Sequence, residues 1–296
     1  MNNIAELQNT ENHIDLLCAQ RFVYTKAKIA FQTRILLSVL FAILGPILIL
    51  NFEAIKVYVA VVAVSYAFLD LLFLRRLENN YREDGAKIQE LFDTGLFKLD
   101  WNNIVVGDRP DTEKIFSYSR KYKEKNDLTN LYNWYSPEIG GLDLNEAVVV
   151  CQRTNIWWDV SLRDKLFWFL SMGLLALTLL IFLFFSKDST VLFSILASLL
   201  PLYESLGEYI KSQREAIIKT KALKSRLEDF IERLIEGQKI NSSDLRITQD
   251  EIYRHRSASL FVPDWFYFIF RSKQEDEMNY SAKYYVGRIK DTLRKK

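Results

Sequence analysis

The sequence predicts an all-α membrane protein with four transmembrane helices, arranged as two hairpins, and a mostly helical cytoplasmic domain. Three observations predict it. Four apolar runs, at residues 35–52, 57–74, 166–186 and 190–210, each have the length a helix needs to cross ~30 Å of hydrocarbon. Within each pair the connector is tiny, residues 53–56 and 187–189, which suits tight helical hairpins. Positive charge gathers at the other ends of the runs. Arg21, Lys26, Lys28 and Arg34 precede the first, and Arg75, Arg76, Arg82 and Lys87 follow the second. Arg163 and Lys165 precede the third, and Lys211, Arg214, Lys219, Lys221, Lys224 and Arg226 follow the fourth. The positive-inside rule then places both termini and the central segment in the cytoplasm. The chain divides into an N-terminal helical arm (1–34), hairpin 1 (35–75), a sensor and stalk domain (76–165), hairpin 2 (166–210) and a C-terminal helical region (211–296).

Each element has its own local reason. In the arm, Ile14, Leu17, Arg21, Tyr24 and Lys28 fall at helical spacing, and no Pro or Gly interrupts before Gly45. Gly45-Pro46 predicts a kink inside the first span, because proline removes a backbone donor. Leu77, Tyr81, Ile88, Leu91 and Phe92 carry an apolar stripe out of the second span, predicting a stalk helix interrupted near Gly85 and capped near Gly95. A loop-rich stretch follows at 97–110. Residues 111–125 read as a helix, acidic in the first turn and basic in the last, which complements the helix dipole. After an irregular aromatic segment, Asp143 and Glu146 fit a capping box that starts a helix running through Trp157-Trp158 into the third span. Beyond the fourth span, Ile217, Leu223, Leu227, Phe230, Ile231 and Leu234 mark one face of a long amphipathic helix over 211–240. One or two short helices are expected around 247–256, with a break at Pro263.

Composition excludes more than it assigns. The chain has 39 Lys and Arg against 37 Asp and Glu, a near-neutral balance. Two cysteines and two histidines, scattered along the chain, offer no metal-ligand spacing and no nucleophile paired with a base. The sequence therefore predicts no metal, no cofactor and no enzyme. No cleavable signal peptide is read, since the first apolar run starts too late.

Three groups of residues are candidates for function. In the fourth span Ser194, Ser198, Ser205 and Glu208 share a face that Glu204 borders, a pattern that suits a water-lined pore. The same serines equally suit interhelical hydrogen bonding, with the glutamates reaching the interface. Gln152, Asn155, Asp159 and Arg163 form a polar junction just before the third span, where a membrane-interface anchor is the plainer reading. Arg120, Lys121 and Lys123, with Trp134, Tyr135 and Arg153, have the chemistry of a nucleotide site, aromatic faces for bases and cations for phosphates. A packed aromatic core explains the aromatic members equally well.

Several short motifs occur together and in order: Cys18-Ala19-Gln20-Arg21, Leu91-Phe92-Asp93, Asp100-Trp101-Asn102, Asn133-Trp134-Tyr135-Ser136-Pro137, Cys151-Gln152-Arg153 through Asp159 and Arg163, Gln249-Asp250-Glu251-Ile252-Tyr253 with Arg256, and Val262-Pro263-Asp264. The set resembles the SMODS-associated four-transmembrane effector family of bacterial antiphage defence. The resemblance implies an oligomeric pore or ion channel of the bacterial inner membrane; four spans are too few to enclose a pore alone, so a closed ring is expected, with a homotetramer as its expected form. A cognate nucleotidyltransferase would supply its oligonucleotide second messenger, either a cyclic activator or a linear repressor. The alternative is a non-conducting membrane scaffold that recruits a cytoplasmic partner.

Overall fold

The computed structural model describes residues 2–52, 54, 56–187 and 189–294. Within its helices, side chains at 42, 45–46, 49–51, 56, 60, 63, 67, 185, 190–202, 204–205, 271–272, 274–275 and 293–294 lie outside the description. Among the described residues all regular structure is helical.

After a one-turn helix α1 (Ile4–Leu7), α2 (Glu11–Asn51) joins the predicted arm and the first apolar run in one 41-residue helix, whose assignment passes through Gly45 and Pro46 unbroken. α3 (Lys56–Leu69) passes through a π-helical turn, Asp70–Leu74, into α4 (Arg75–Phe97). The expected interruption at Gly85 does not occur. The Tyr24 ring of α2 presses on that point of α4, so a Cβ at Gly85 would lie 2.8 Å from two of its ring carbons. Glycine here serves close helix approach rather than a break. The helix end is also displaced from Gly95: Lys98 adopts a left-handed conformation (φ 54°), and the Leu99 N–H donates to the Thr94 carbonyl at 3.1 Å.

The loop at 97–110 contains a single-turn helix, α5 (Asn103–Val106), capped by the Asn102 side chain, and α6 (Thr112–Lys123) follows as predicted. α7 (Leu144–Phe185) starts at the expected capping box, where Glu146 Oε2 accepts from the Asp143 N–H at 3.0 Å. It is a single 42-residue helix through the third run. α8 (Ser189–Ile235) likewise fuses the fourth run with the amphipathic helix beyond it, and all six apolar residues of that face are buried. α9 (Ser242–Ala258) is longer than the short helix expected around 247–256. After the break at Pro263 comes α10 (Asp264–Arg294), a 31-residue helix within the region 211–296 expected to be helical, and far longer than the short helices expected there.

Among the described residues two helical stretches are long and apolar enough to cross a membrane, within Val57–Phe97 and Leu144–Phe184. The apolar window of the first is open throughout and that of the second nearly so. Each has a neighbour. α2 pairs with α3 through the Tyr66 hydroxyl, which donates to the Arg34 carbonyl at 2.9 Å, and the Phe41 and Tyr66 rings lie 5.0 Å apart. α7 pairs with α8, with the Thr178 and Tyr203 hydroxyls 2.9 Å apart. At the polar ends of the helices a body forms around Phe92, Leu96, Phe97, Tyr135, Val148, Leu227 and Ile252, drawing on α2, α4, α7, α8 and α9 and closed by Ile289 of α10.

Candidate functional site

The body is organised by a buried polar junction where α4, α7 and α9 meet. Glu90 and Asp93, one turn apart on α4, are both fully buried. α9 supplies their counter-charges: Arg246 donates to Glu90 at 2.6 Å and to Asp250 at 2.7 Å, and Arg256 donates to Asp93 at 2.7 Å. Between them, Gln249 Nε2 donates to Glu90 at 2.8 Å and to Asp93 at 3.2 Å. Gln152 of α7 extends the chain of bonds, donating to the Gln249 side chain at 3.1 Å and to the Leu245 carbonyl at 2.9 Å. Tyr135 gives its hydroxyl proton to Asp93 at 2.6 Å and accepts from Asn155 at 2.8 Å. Asn102 donates to Asp250 at 2.8 Å, tying in the loop before α5.

The electrostatics follow from burial. Burial lifts the Glu90 carboxyl above its ordinary range, with Arg246 and Gln249 pulling the other way. Burial, with Asp93 adjacent, holds the Tyr135 phenol well above its usual range, so it stays a neutral donor. A buried carboxylate without a partner is costly, and this arrangement gives each one a cation or several donors.

Nearer the apolar ends lies a second knot. Arg163 donates to Asp159 at 2.7 Å, to Gln213 of α8 at 2.7 Å and to the Leu260 carbonyl at 2.8 Å. His255 Nε2 lies 2.7 Å from the same Asp159 oxygen. Burial disfavours the Asp159 anion, yet Arg163 and His255 outweigh it and hold the carboxyl well below the ordinary range. A third knot joins α2 to the π-turn and α4. Arg34 bonds Asp70 and Glu78, Arg75 reaches Asp70 at 3.2 Å, and Arg82 reaches Glu78 at 3.2 Å.

Gln152, Asn155, Asp159 and Arg163 are thus brought together on one side of α7, in hydrogen bonds that connect it to α8, α9 and the Tyr135 segment. Asp93, Asn102, Tyr135, Gln249, Asp250 and Arg256, all within the motifs that carry the family resemblance, meet in the same junction. Sequence reasoning left Glu90, Arg246 and His255 out. Their partners lie 156 residues away in the case of Arg246–Glu90 and 96 in the case of His255–Asp159, a separation no local spacing reveals.

The proposed nucleotide residues do not share one environment. Tyr135 is 1% exposed, with its ring against Phe92 and Phe97, so its faces are closed to a base. Trp134 is half-buried and covered by the Arg21 guanidinium, 5.2 Å from the ring centroid. Arg153 is buried over the Tyr285 ring at 4.4 Å and donates to Ser281 and Tyr285 of α10. Lys123 pairs with Asp15, and Arg120 pairs with Glu124 at 3.1 Å. Of the pore-lining candidates, Glu208 is exposed, while the side chains of Ser194, Ser198, Glu204 and Ser205 lie outside the described residues.

Lys121 is different. It lines a cleft of about 480 Å³ between α2, α4 and α6, with Phe22, Lys26, Tyr81, Tyr118, Glu124 and Lys125. That volume lies in the range of small-molecule sites, roughly 300–1,000 Å³. Phe22 stacks on Tyr118 with centroids 5.5 Å apart, and the Lys26 and Lys121 ammonium groups stand 5.5 and 5.9 Å from the Phe22 centroid. Arg120 offsets the single acid, Glu124. The cleft therefore gathers three lysines around a stacked aromatic pair, two of them against the Phe22 ring, and a cationic lining of this kind suits an anion. A sequence signal existed: Phe22 and Lys26 are four apart on α2, and Tyr118 and Lys121 are three apart on α6, with Lys125 in the turn just beyond it.

A family model described as the SMODS-associating 4TM effector domain matches residues 2–285. A protein of Bacillus cereus (strain VD146), described as a probable CBASS effector molecule, is 32% identical over 286 residues. The match covers 92% of this chain and 95% of that protein. No solved structure matches the chain significantly.

Proposed function

We propose that this chain, which belongs to the SMODS-associating 4TM effector family, is an oligomeric membrane pore of bacterial antiphage defence, controlled by an oligonucleotide signal on the cytoplasmic side. The description of the Bacillus cereus relative supports a place in a cyclic-nucleotide signalling system, with a nucleotidyltransferase as the source of the signal. The apolar stretches of α2 and α8, paired with those of α3 and α7, make up the four spans of this reading. Their basic flanks orient both termini and the polar body toward the cytoplasm. Four spans do not enclose a pore alone, so a closed ring of subunits is required, with the Ser194, Ser198, Ser205, Glu204 and Glu208 side of α8 at its centre.

The observation that carries the proposal is the continuity of α7 and α8. Each runs without a break from its apolar stretch into the body, where Arg163 bonds Gln213 across the pair. A ligand that favours one packing of the body therefore shifts the spans, through its differential affinity for the two states. The signal seats in the lysine-lined cleft, whose α2 wall is also continuous with an apolar stretch.

Ion flux from proteoliposomes tests this reading. Adding a cyclic oligonucleotide should change the flux, and substituting Glu208→Gln should change cation selectivity. Proteoliposomes that stay tight with and without ligand would overturn the pore and favour the scaffold.

A further inference from the structure

We infer that the start of α10, residues 264–270, is a membrane-facing segment that lies in the lipid interface beside the third span. The inference rests on the membrane reading above, and adds a lipid contact outside the four apolar runs. Three observations place it.

The first is level. Phe266 is 2% exposed and packs in a cluster with Phe31 of α2, Leu166 of α7 and Tyr209 of α8. Those three residues stand at or near the polar ends of three spans, so the start of α10 sits at the same boundary. Phe169 contacts both Trp265 and Phe266, with ring centroids 5.7 and 5.8 Å away. Phe169 is three residues beyond Leu166, a depth of roughly 5 Å at the helical rise.

The second is an apolar face with no cover. Trp265, Phe268 and Ile269, three and four apart on the helix, are 50%, 63% and 64% exposed. On α7 beside them, Trp168, Phe169 and Met172 are 59%, 55% and 56% exposed. The two faces make one continuous apolar surface, and half of it belongs to a span. Aromatic side chains at this level match the belt that forms where hydrocarbon meets headgroups.

The third is the charge pattern. Lys165 stands 4.7 Å from the centroid of the Phe270 ring, and Lys28 holds Asp264 in an ion pair. Lys28 is neutralised by Asp264, while the Lys165 cation beside the aromatic segment suits anionic headgroups. Beyond Lys273 the helix turns acidic and leaves the boundary, and its Ile289 enters the core of the body. α10 is thus a strut from the lipid interface to the far end of the body, and Arg153 grips it midway through Ser281 and Tyr285.

Tryptophan quenching in proteoliposomes of phosphatidylethanolamine and phosphatidylglycerol tests the inference. Phospholipids brominated near the headgroup or deep in the chain are the quenchers. Three proteins are compared: the full chain, Trp265→Phe and Trp168→Phe. The expected result is that Trp265→Phe loses a distinct share of the emission quenched by the shallow bromines. Trp168→Phe, the control within the span, loses a share quenched by bromolipid of either depth. If Trp168→Phe reduces the quenchable emission and Trp265→Phe does not, the face is covered by protein, such as a second copy of this chain, and the inference is overturned. If neither substitution matters, the third span is not in lipid and the membrane reading itself fails.

Discussion

The junction and the cleft handle charge in opposite ways. In the junction, Glu90 and Asp93 are fully buried, and Arg246 and Arg256 reach them within 2.7 Å. In the cleft, Lys26, Lys121 and Lys125 are exposed, and no ion pair to them is found among the described residues. Buried charges held against counter-charges keep a packing in place, while solvated charges of one sign gathered at a cleft raise the local concentration of anions. The difference separates residues that set the position of the helices from residues that, on the proposal above, meet the signal. It also gives a structural part to the motif residues that meet in the junction, among them Asp93, Tyr135, Gln152 and Gln249. They connect α4, α7 and α9, and do not form the wall of a site.

Breaking the junction should have the largest effect. Arg256→Ala leaves Asp93 buried beside only neutral donors, at a cost of about 3–5 kcal/mol, read as a large loss of thermal stability in detergent. The double variant Asp93→Asn with Arg256→Gln should recover part of that loss, since no unpaired charge then remains buried. Equal loss in the single and double variants would show that the pair is not what holds the helices.

Acid should sharpen the comparison next. The Asp159 carboxyl is depressed in the fold, so its stabilisation is present above the unfolded pKa of ~3.9 and is lost as pH falls below it. Glu90 has the opposite sign: its raised pKa means that protonation relieves a burial penalty as pH falls. Asp159→Asn should therefore flatten the acid limb of a stability–pH curve, and Glu90→Gln should steepen it.

A smaller effect is expected at Gly85. Alanine there gains helix propensity of about 1 kcal/mol, but overpacking against the Tyr24 ring costs about 1–3 kcal/mol. A net loss of roughly 1 kcal/mol in chemical denaturation would support the close approach of α2 and α4, and a gain would contradict it.

Much of this architecture was legible in the sequence, because it rests on local patterns. The apolar runs, the Asp143–Glu146 capping box and the Ile217–Leu234 stripe each declare themselves within a few turns. Long-range pairing did not. The Arg34 bonds to Asp70 and Glu78 span 36 and 44 residues, and neither local spacing nor charge count predicts them. The bounds of α10 within the helical region 211–296 were not legible for another reason. Its aromatic start and its polar, acidic middle show no single periodicity, because one end faces the boundary and the other the body. The aromatic segment at Trp134 and Tyr135 suits a core or a ligand platform equally by residue type. Composition cannot separate the two, whereas the bonded Tyr135 hydroxyl and its two ring neighbours show what occupies that tyrosine.

On the proposal above, the cleft meets the signal and the junction holds the helices. Side-by-side titration of a cyclic oligonucleotide into the full chain and into the variant Lys26→Gln, Lys121→Gln and Lys125→Gln tests it most directly, with melting followed on the same samples. The expected melting stability is within about 0.5 kcal/mol of the full chain. The proposal also predicts affinity lower by about tenfold for each ammonium removed, and a weaker dependence on salt. Unchanged affinity in a variant that melts normally would contradict it.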